Sequence, residues 1–342
     1  MCAFLFYCSA DEPVDDNNNQ EEEEVINNEE ENENENEEET NNGNEEETNN
    51  GGEGDTENEE ENTETSVAPS ENFDLSTWNL SIPDNRGDNI ATTITVAEIN
   101  NDYSNENYFY TAEDGGMVFK CPVAGYKTSE NTSYTRVELR EMLRGTNTSI
   151  STKGVNGNNW VFGSAPTADK NAAAGYDGEM TATLAVNHVT TTGDENQVGR
   201  VIIGQIHAND DEPVRIYYRK LVNNTLGSIY FAHEPTDGNG SEQWYEMIGS
   251  RSKSQSNPAG GIALGEKFTY KIKVVSNTLT VTISREGKVD LIETVDMTNS
   301  GFDVSGQYMY FKAGVYNQNN TGNDDDYVQA TFYSLEKSHT MN

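Results

Sequence analysis

Three stretches of this 342-residue sequence carry side chains that could do acid–base chemistry on an anionic substrate. In Tyr134–Met142, a period of two places Arg136, Glu138 and Arg140 on one face of a strand and Val137 and Leu139 on the other. In Val201–His207, Gln205 and His207 share a face, with Ile202 and Ile206 opposite. In Tyr308–Gln318, Tyr310, Lys312, Tyr316 and Gln318 share a face, and Phe311, Ala313 and Val315 form the other. Side by side in one sheet, the polar faces would join guanidinium and ammonium groups for carboxylates to an amide, a phenol and an imidazole of ordinary pKa ~6.5. A chain of acidic sugars suits such a surface. Taken singly, each group has a plainer reading as a surface ion-pair ladder, a sheet histidine or a tyrosine at a sheet margin.

The elements that must position these groups read as strands. Period-2 alternation recurs at 116–121, 135–142, 159–162, 178–187, 200–207, 214–220, 226–232, 308–316 and 327–335. Tyr270–Val275, Ser276-Asn277 and Leu279–Ile283 read as a hairpin with one wet face. No helical period rivals them and no repeat of fixed length occurs. Many short strands between polar turns predict an all-β domain, an antiparallel β-sandwich or jelly roll with a concave substrate groove.

Charge divides the chain. Of 60 acidic residues 26 fall in residues 1–70, which hold no Lys or Arg, leaving 34 acids against 21 bases in the remainder. An acidic chain lacks the basic field that displaces counterions from phosphates, so nucleic acid is not a partner. No run approaches the ~18 apolar residues of a membrane-spanning helix. Residues 9–66 are blocks of Glu and Asn with almost nothing apolar, which predicts a disordered acidic linker. Residues 1–8 are an apolar signal remnant ending at Cys8, with Leu5 three places before it, a pattern similar to a bacterial lipoprotein signal. A lipid on Cys8 would anchor the protein to a membrane surface, with the linker as spacer. The expected location is secreted, or at the cell surface as an outer-membrane lipoprotein of a bacterium. The catalytic domain is then 67–342. Only Cys121 lies within it, so its core holds without a disulfide or a thiol pair for zinc.

Arg136-Val137-Glu138-Leu139-Arg140, Gln205-Ile206-His207 and Tyr310–Gln318 resemble, in order and rough spacing, the three signature segments of alginate lyases of polysaccharide lyase family seven. The resemblance extends to Phe73–Trp78, Tyr108–Thr111 and Met117–Val123, and covers nearly all of 71–338. Val137 stands where the family usually has Ser or Thr, on the face away from the groove. The resemblance implies β-elimination on alginate or alginate oligosaccharides by a monomer that needs no metal or other cofactor. A proton leaves C5 of a uronate, the glycosidic oxygen departs from C4, and an unsaturated sugar remains. Carried over residue by residue, Arg136 and Gln205 would neutralise the carboxylate, where charge-assisted and amide hydrogen bonds meet the developing negative charge. His207 would take the proton or help in that neutralisation. Tyr316 would protonate the leaving oxygen and, for mannuronate, serve also as base. Lys312 and Arg140 would hold neighbouring carboxylates, Glu138 would orient the arginines, and Tyr310 and Gln318 would complete the substrate-binding set. Ile206, in the middle of its motif, implies cleavage of guluronate-containing linkages, although one methylene discriminates by at most ~1–3 kcal/mol.

Arg215, Arg219 and Lys220 are further candidates for substrate contacts, and 208–212 and 250–261 for lids over the groove. The alternatives differ in what they require. A non-catalytic acidic-polysaccharide-binding sandwich would not need Gln205, His207 and Tyr316 together. A jelly-roll glycoside hydrolase needs two carboxylates about 5–10 Å apart, and no Glu-x-Asp-x-x-Glu strand supplies them. A lyase on another uronan such as glucuronan would use the same constellation.

Overall fold

The computed structural model describes residues 67–341 apart from Arg86 and Asp88. The apolar start with Cys8 and the acidic linker lie outside the described residues. Seventeen strands are formed among these residues. They are β1 (Trp78–Asn85), β2 (Ala91–Ile94), β3 (Phe109–Thr111), β4 (Met117–Pro122), β5 (Arg136–Glu141), β6 (Trp160–Val161), β7 (Gly175–His188), β8 (Arg200–His207) and β9 (Val214–Arg219). The chain continues through β10 (Leu226–His233), β11 (Gln243–Ile248), β12 (Ile262–Ala263), β13 (Phe268–Val275), β14 (Thr278–Ser284), β15 (Leu291–Asp296), β16 (Tyr310–Asn317) and β17 (Tyr327–Thr340). Three helices of four to six residues interrupt them. Among the described residues no helix is long and apolar enough to cross a membrane.

The strands form two sheets. One runs β11-β10-β9-β8-β16-β5-β1-β2 with β12 added to β10, and the other β15-β14-β13-β7-β17-β4-β3 with β6 added to β7. Every pairing is antiparallel except β6 with β7. The expected β-sandwich therefore forms, and every expected strand is present. β1, β2, β3, β11, β12 and β15 lie outside the period-2 runs. β2, β3, β11 and β15 are the sheet edges, where one neighbour is missing and the inside-outside contrast fades; β15 is exposed at all but one position.

The hairpin β13–β14 shows how alternation becomes packing. Tyr270, Ile272 and Val274 are buried, while Lys271 and Lys273 point outward and both reach Glu179 on β7, at 3.2 and 3.0 Å. The inner faces of the two sheets meet in one apolar core that includes Trp78, Phe119, Trp160, Phe231, Phe311 and Phe332. Each such side chain contributes about 1.5–3 kcal/mol by leaving water. Cys121 is fully buried in that core as a free thiol, and burial pushes its pKa up to about 12.

Candidate active site

Chain order and spatial order differ where it matters. β16, late in the chain, inserts between β8 and β5, so all three polar motifs become neighbours. Lys312 lies opposite Gln205 on one side and Arg140 on the other; Tyr310 lies opposite His207, and Tyr316 opposite Arg136. Gly314 lies opposite Glu138 at φ +138°, and a Cβ there would stand 2.6 Å from the Val137 carbonyl oxygen. Glycine thus permits the close approach of β16 to β5 at the centre of the site.

Glu138 is the hub. Its buried carboxylate accepts from Gln205 Nε2 at 2.6 Å and Lys312 Nζ at 2.8 Å, and pairs with Arg136 Nη1 at 3.4 Å. Arg136 also lies over the Tyr316 ring, 3.8 Å from its centroid, so guanidinium, amide, ammonium and phenol are linked through one carboxylate. Gln205 gives one amide N–H to Glu138, and an amide nitrogen carries a second. Lys312 is buried, and burial together with Arg136 lowers its pKa to about 8 despite the pairing with Glu138.

His207 stacks on Tyr310, ring centroids 5.0 Å apart and 10° from parallel. Its Nδ1 faces the Ala208 carbonyl oxygen at 2.6 Å, which can only accept, so Nδ1 carries the hydrogen and Nε2 the lone pair. Burial lowers the imidazole pKa to about 4, with Lys312 and Arg136 acting the same way and Glu212 opposing. The ring is therefore neutral near neutrality, as a proton acceptor must be. Burial also pushes the Tyr310 phenol up to about 12, so it stays protonated.

Several expectations need correction. Arg140 does not share Glu138 with Arg136 but lies over the Tyr310 ring at 4.2 Å and donates to the Thr152 carbonyl oxygen at 2.9 Å. Ile202 does not lie with Ile206. A bulge in β8 turns Ile203 and Gly204 both toward the core, and Ile202 emerges on the site face against Tyr316 and Tyr217. Arg219 shares the site face but is buried, donating to the Arg251 and Glu195 carbonyl oxygens at 2.6 Å each, so its guanidinium ties two loops to the sheet. Arg215 is held by Glu234 at 2.9 Å, by Glu242 and by Glu212 at 3.6 Å, and carboxylates of the protein already surround it. Lys220 sits past the end of β9, 3.4 Å from the Leu221 carbonyl oxygen. Gln318 follows β16, and its Oε1 accepts from Arg200 at 3.4 Å.

The two loops nominated as lids are fastened. In 208–212, Ala208 N–H donates to Asp211 O at 2.8 Å and Glu234 N–H to Glu212 O at 3.1 Å. In 250–261, Gln255 donates to Ser228 Oγ at 2.6 Å and Asn257 accepts from Thr225 and Leu226. The residues that the motifs did not name are Glu212, from the first loop, and an aromatic group of Tyr217 stacked on Tyr230 at 5.0 Å with Trp244 beside them. Tyr217 alternates with Ile216 and Tyr218 on β9, so its position was readable by parity; Glu212 belongs to a loop and left no periodic signal.

Comparison with known proteins bears on the family and the fold. The alginate lyase family profile matches residues 73–339. An alginate lyase from Klebsiella pneumoniae is 57% identical over 280 residues, covering 80% of this chain and 91% of the relative. The crystal structure of the alginate lyase from that organism superposes with a TM-score of 0.79 at 56% identity, covering 80% of this chain and 98% of that one. A family 7 alginate lyase crystallised with a bound product gives 0.59 at 27% identity over 80% and 100% of the two chains. An alginate lyase from Pseudomonas aeruginosa gives 0.56 at 30% over 78% and 99%. With its two antiparallel sheets in the jelly-roll arrangement of these enzymes and its sequence matched almost from end to end of the described domain, the chain belongs to the alginate lyases of polysaccharide lyase family seven.

Proposed function

We propose that this protein is an alginate lyase that cleaves the 1,4-glycosidic bond by β-elimination and leaves a 4,5-unsaturated uronate at the new non-reducing end. The observation that carries the reading is that three adjacent strands bring Arg136 and Gln205 to buried Glu138, with Tyr316 under the Arg136 guanidinium and His207 two residues past Gln205 on β8. The C5 proton is weakly acidic because the neighbouring carboxylate is already negative. Arg136 and the second N–H of Gln205 neutralise that carboxylate and stabilise the enolate-like charge. Nε2 of His207 takes the C5 proton, electrons of the broken C–H bond form the C4–C5 double bond, and the C4–O bond breaks. Tyr316 donates its phenolic proton to the departing oxygen. Arg140, Lys312, Tyr310 and Gln318 line the same face for neighbouring sugars, with Lys312 acting from its pairing with Glu138.

Ile206 supports a preference for guluronate-containing linkages through the family resemblance alone; its side chain faces the core behind His207 and acts through strand placement. The test is the growth of ultraviolet absorbance from the unsaturated product on alginate, polymannuronate, polyguluronate and glucuronan. His207→Asn and Tyr316→Phe should each lower turnover by ~10²-fold or more on the preferred polymer. Retention of full activity by both variants on every polymer removes the assigned roles, and activity on glucuronan alone transfers the enzyme to another uronan.

A further inference from the structure

His207 has a partner that none of the three motifs contains. Glu212 Oε1 stands 3.3 Å from His207 Nε2, and its carboxylate side chain is only 14% exposed. The loop that carries it is anchored at Ala208, at Glu212 itself and at Asn209, whose side chain accepts from Tyr308 N–H at 3.1 Å and donates to Gly306 O at 3.3 Å. Behind the carboxylate, Arg215 Nη1 lies 3.6 Å from Glu212 Oε2, and Arg215 is itself held by Glu234 and Glu242. Loop and guanidinium together keep Glu212 in place.

The same loop fixes both nitrogens of the ring. The Ala208 carbonyl takes the Nδ1 hydrogen, and Glu212 faces Nε2, the nitrogen with the lone pair. The groups around this imidazole are Lys312 and Tyr310 from β16, Arg136 from β5 and Glu212 from the loop. Arg215 from β9, Glu234 past β10, Glu242 before β11 and the neighbouring Asp211 act on Glu212. Burial, Lys312 and Arg136 all oppose a positive ring, and Glu212 is the anion in contact with it. A base that becomes a cation in such a place needs a fixed counter-charge, because water cannot supply one.

We propose that Glu212 is a positioning residue for His207: it orients the ring and stabilises the imidazolium that forms when Nε2 accepts the C5 proton. Arg215 holds the Glu212 carboxylate for this task. The inference rests on the reading of His207 as the proton acceptor. Glu212 need not touch the sugar. It strengthens the base by stabilising its protonated form: the positive charge that arrives with the proton at Nε2 develops 3.3 Å from Oε1.

The experiment compares parent enzyme, Glu212→Gln, Glu212→Asp and His207→Asn from about pH 3 to 9, a window that brackets the low His207 pKa, with far-ultraviolet circular dichroism at each pH to verify folding. In Glu212→Gln, Arg215 keeps Glu234 and Glu242 as partners and is not left as an unpaired buried cation. The expected result is a fall in kcat of about 3- to 10-fold, the scale of one pKa unit of base strength, with KM nearly unchanged. The acid limb of kcat/KM should move to lower pH, because a ring without its counter-charge gives up its proton more readily. Glu212→Asp should recover part of both changes. An inactive His207→Asn beside a Glu212→Gln variant with parental rate and parental acid limb overturns the role of Glu212 and leaves His207 intact. Lost rate with an unmoved acid limb and no recovery in Glu212→Asp also overturns it, since a purely structural carboxylate would behave that way. Full activity in His207→Asn removes the underlying reading of the base, and with it the inference.

Discussion

Replacing Glu141 by Gln should destabilise the enzyme by an amount that depends on pH. Glu141 ends β5 on the core side, fully buried, two residues beyond Leu139 on the same face. It pairs with His339 Nε2 at 2.7 Å and Lys337 Nζ at 2.9 Å, both on β17 of the opposite sheet. Its second oxygen accepts the Phe311 N–H at 3.1 Å, between Tyr310 and Lys312 of the site. One carboxylate therefore joins the two sheets behind the site strand. Burial alone would raise its pKa, but His339 and Lys337 outweigh burial and lower it from 4.5 to about 2. A folded pKa below the unfolded value adds stability that is fully present above about pH 4.5 and is lost as pH falls toward 2. At ~1.4 kcal/mol per unit, the shift is worth about 3 kcal/mol at pH 7 and about 1 kcal/mol at pH 3. Urea denaturation followed by tryptophan fluorescence measures it directly, because Trp160 lies 5.2 Å from the His339 ring and Lys337 stands over Trp78. The gap between parent and Glu141→Gln should stay nearly flat from pH 7 to about pH 5 and narrow from there to pH 3. A gap of constant size, whatever its magnitude, would refute the linkage and leave only the cost of removing partners from Lys337 and His339.

Two more outcomes follow from the same geometry. A Cβ at Gly204 would stand 2.5 Å from the Tyr270 ring, so Gly204→Ala should cost about 1–3 kcal/mol by overpacking and lower kcat by displacing Gln205 and His207; unchanged melting temperature and kcat would contradict the bulge packing. Because the pKa of Lys312 lies near 8, KM should rise as pH increases through that value and the ammonium charge is lost, whereas Lys312→Arg should keep KM flat there; a parallel rise in both assigns the effect to another group.

The amino-acid sequence by itself determined which side chains share a face within each strand, since alternation is local: a residue's neighbours two places away are set by the pleat and by nothing farther off. That is why Arg136 with Glu138, Gln205 with His207, and Tyr310 with Lys312 and Tyr316 were legible, and why the core faces Val137–Leu139 and Phe311–Val315 fell inside as expected. Alternation failed at Ile202, where a bulge shifted the parity and no sequence period marks an inserted residue. Tertiary structure alone decided that β16 lies between β8 and β5, that Arg140 prefers Tyr310 to Glu138, and that Arg219 serves two loop carbonyls. Those choices depend on partners more than a hundred residues away or on loops whose backbone follows no period. Glu212 is the clearest instance: in the sequence it is one acid in an acidic loop, and only closure of that loop over the end of β8 brings it to Nε2 of His207.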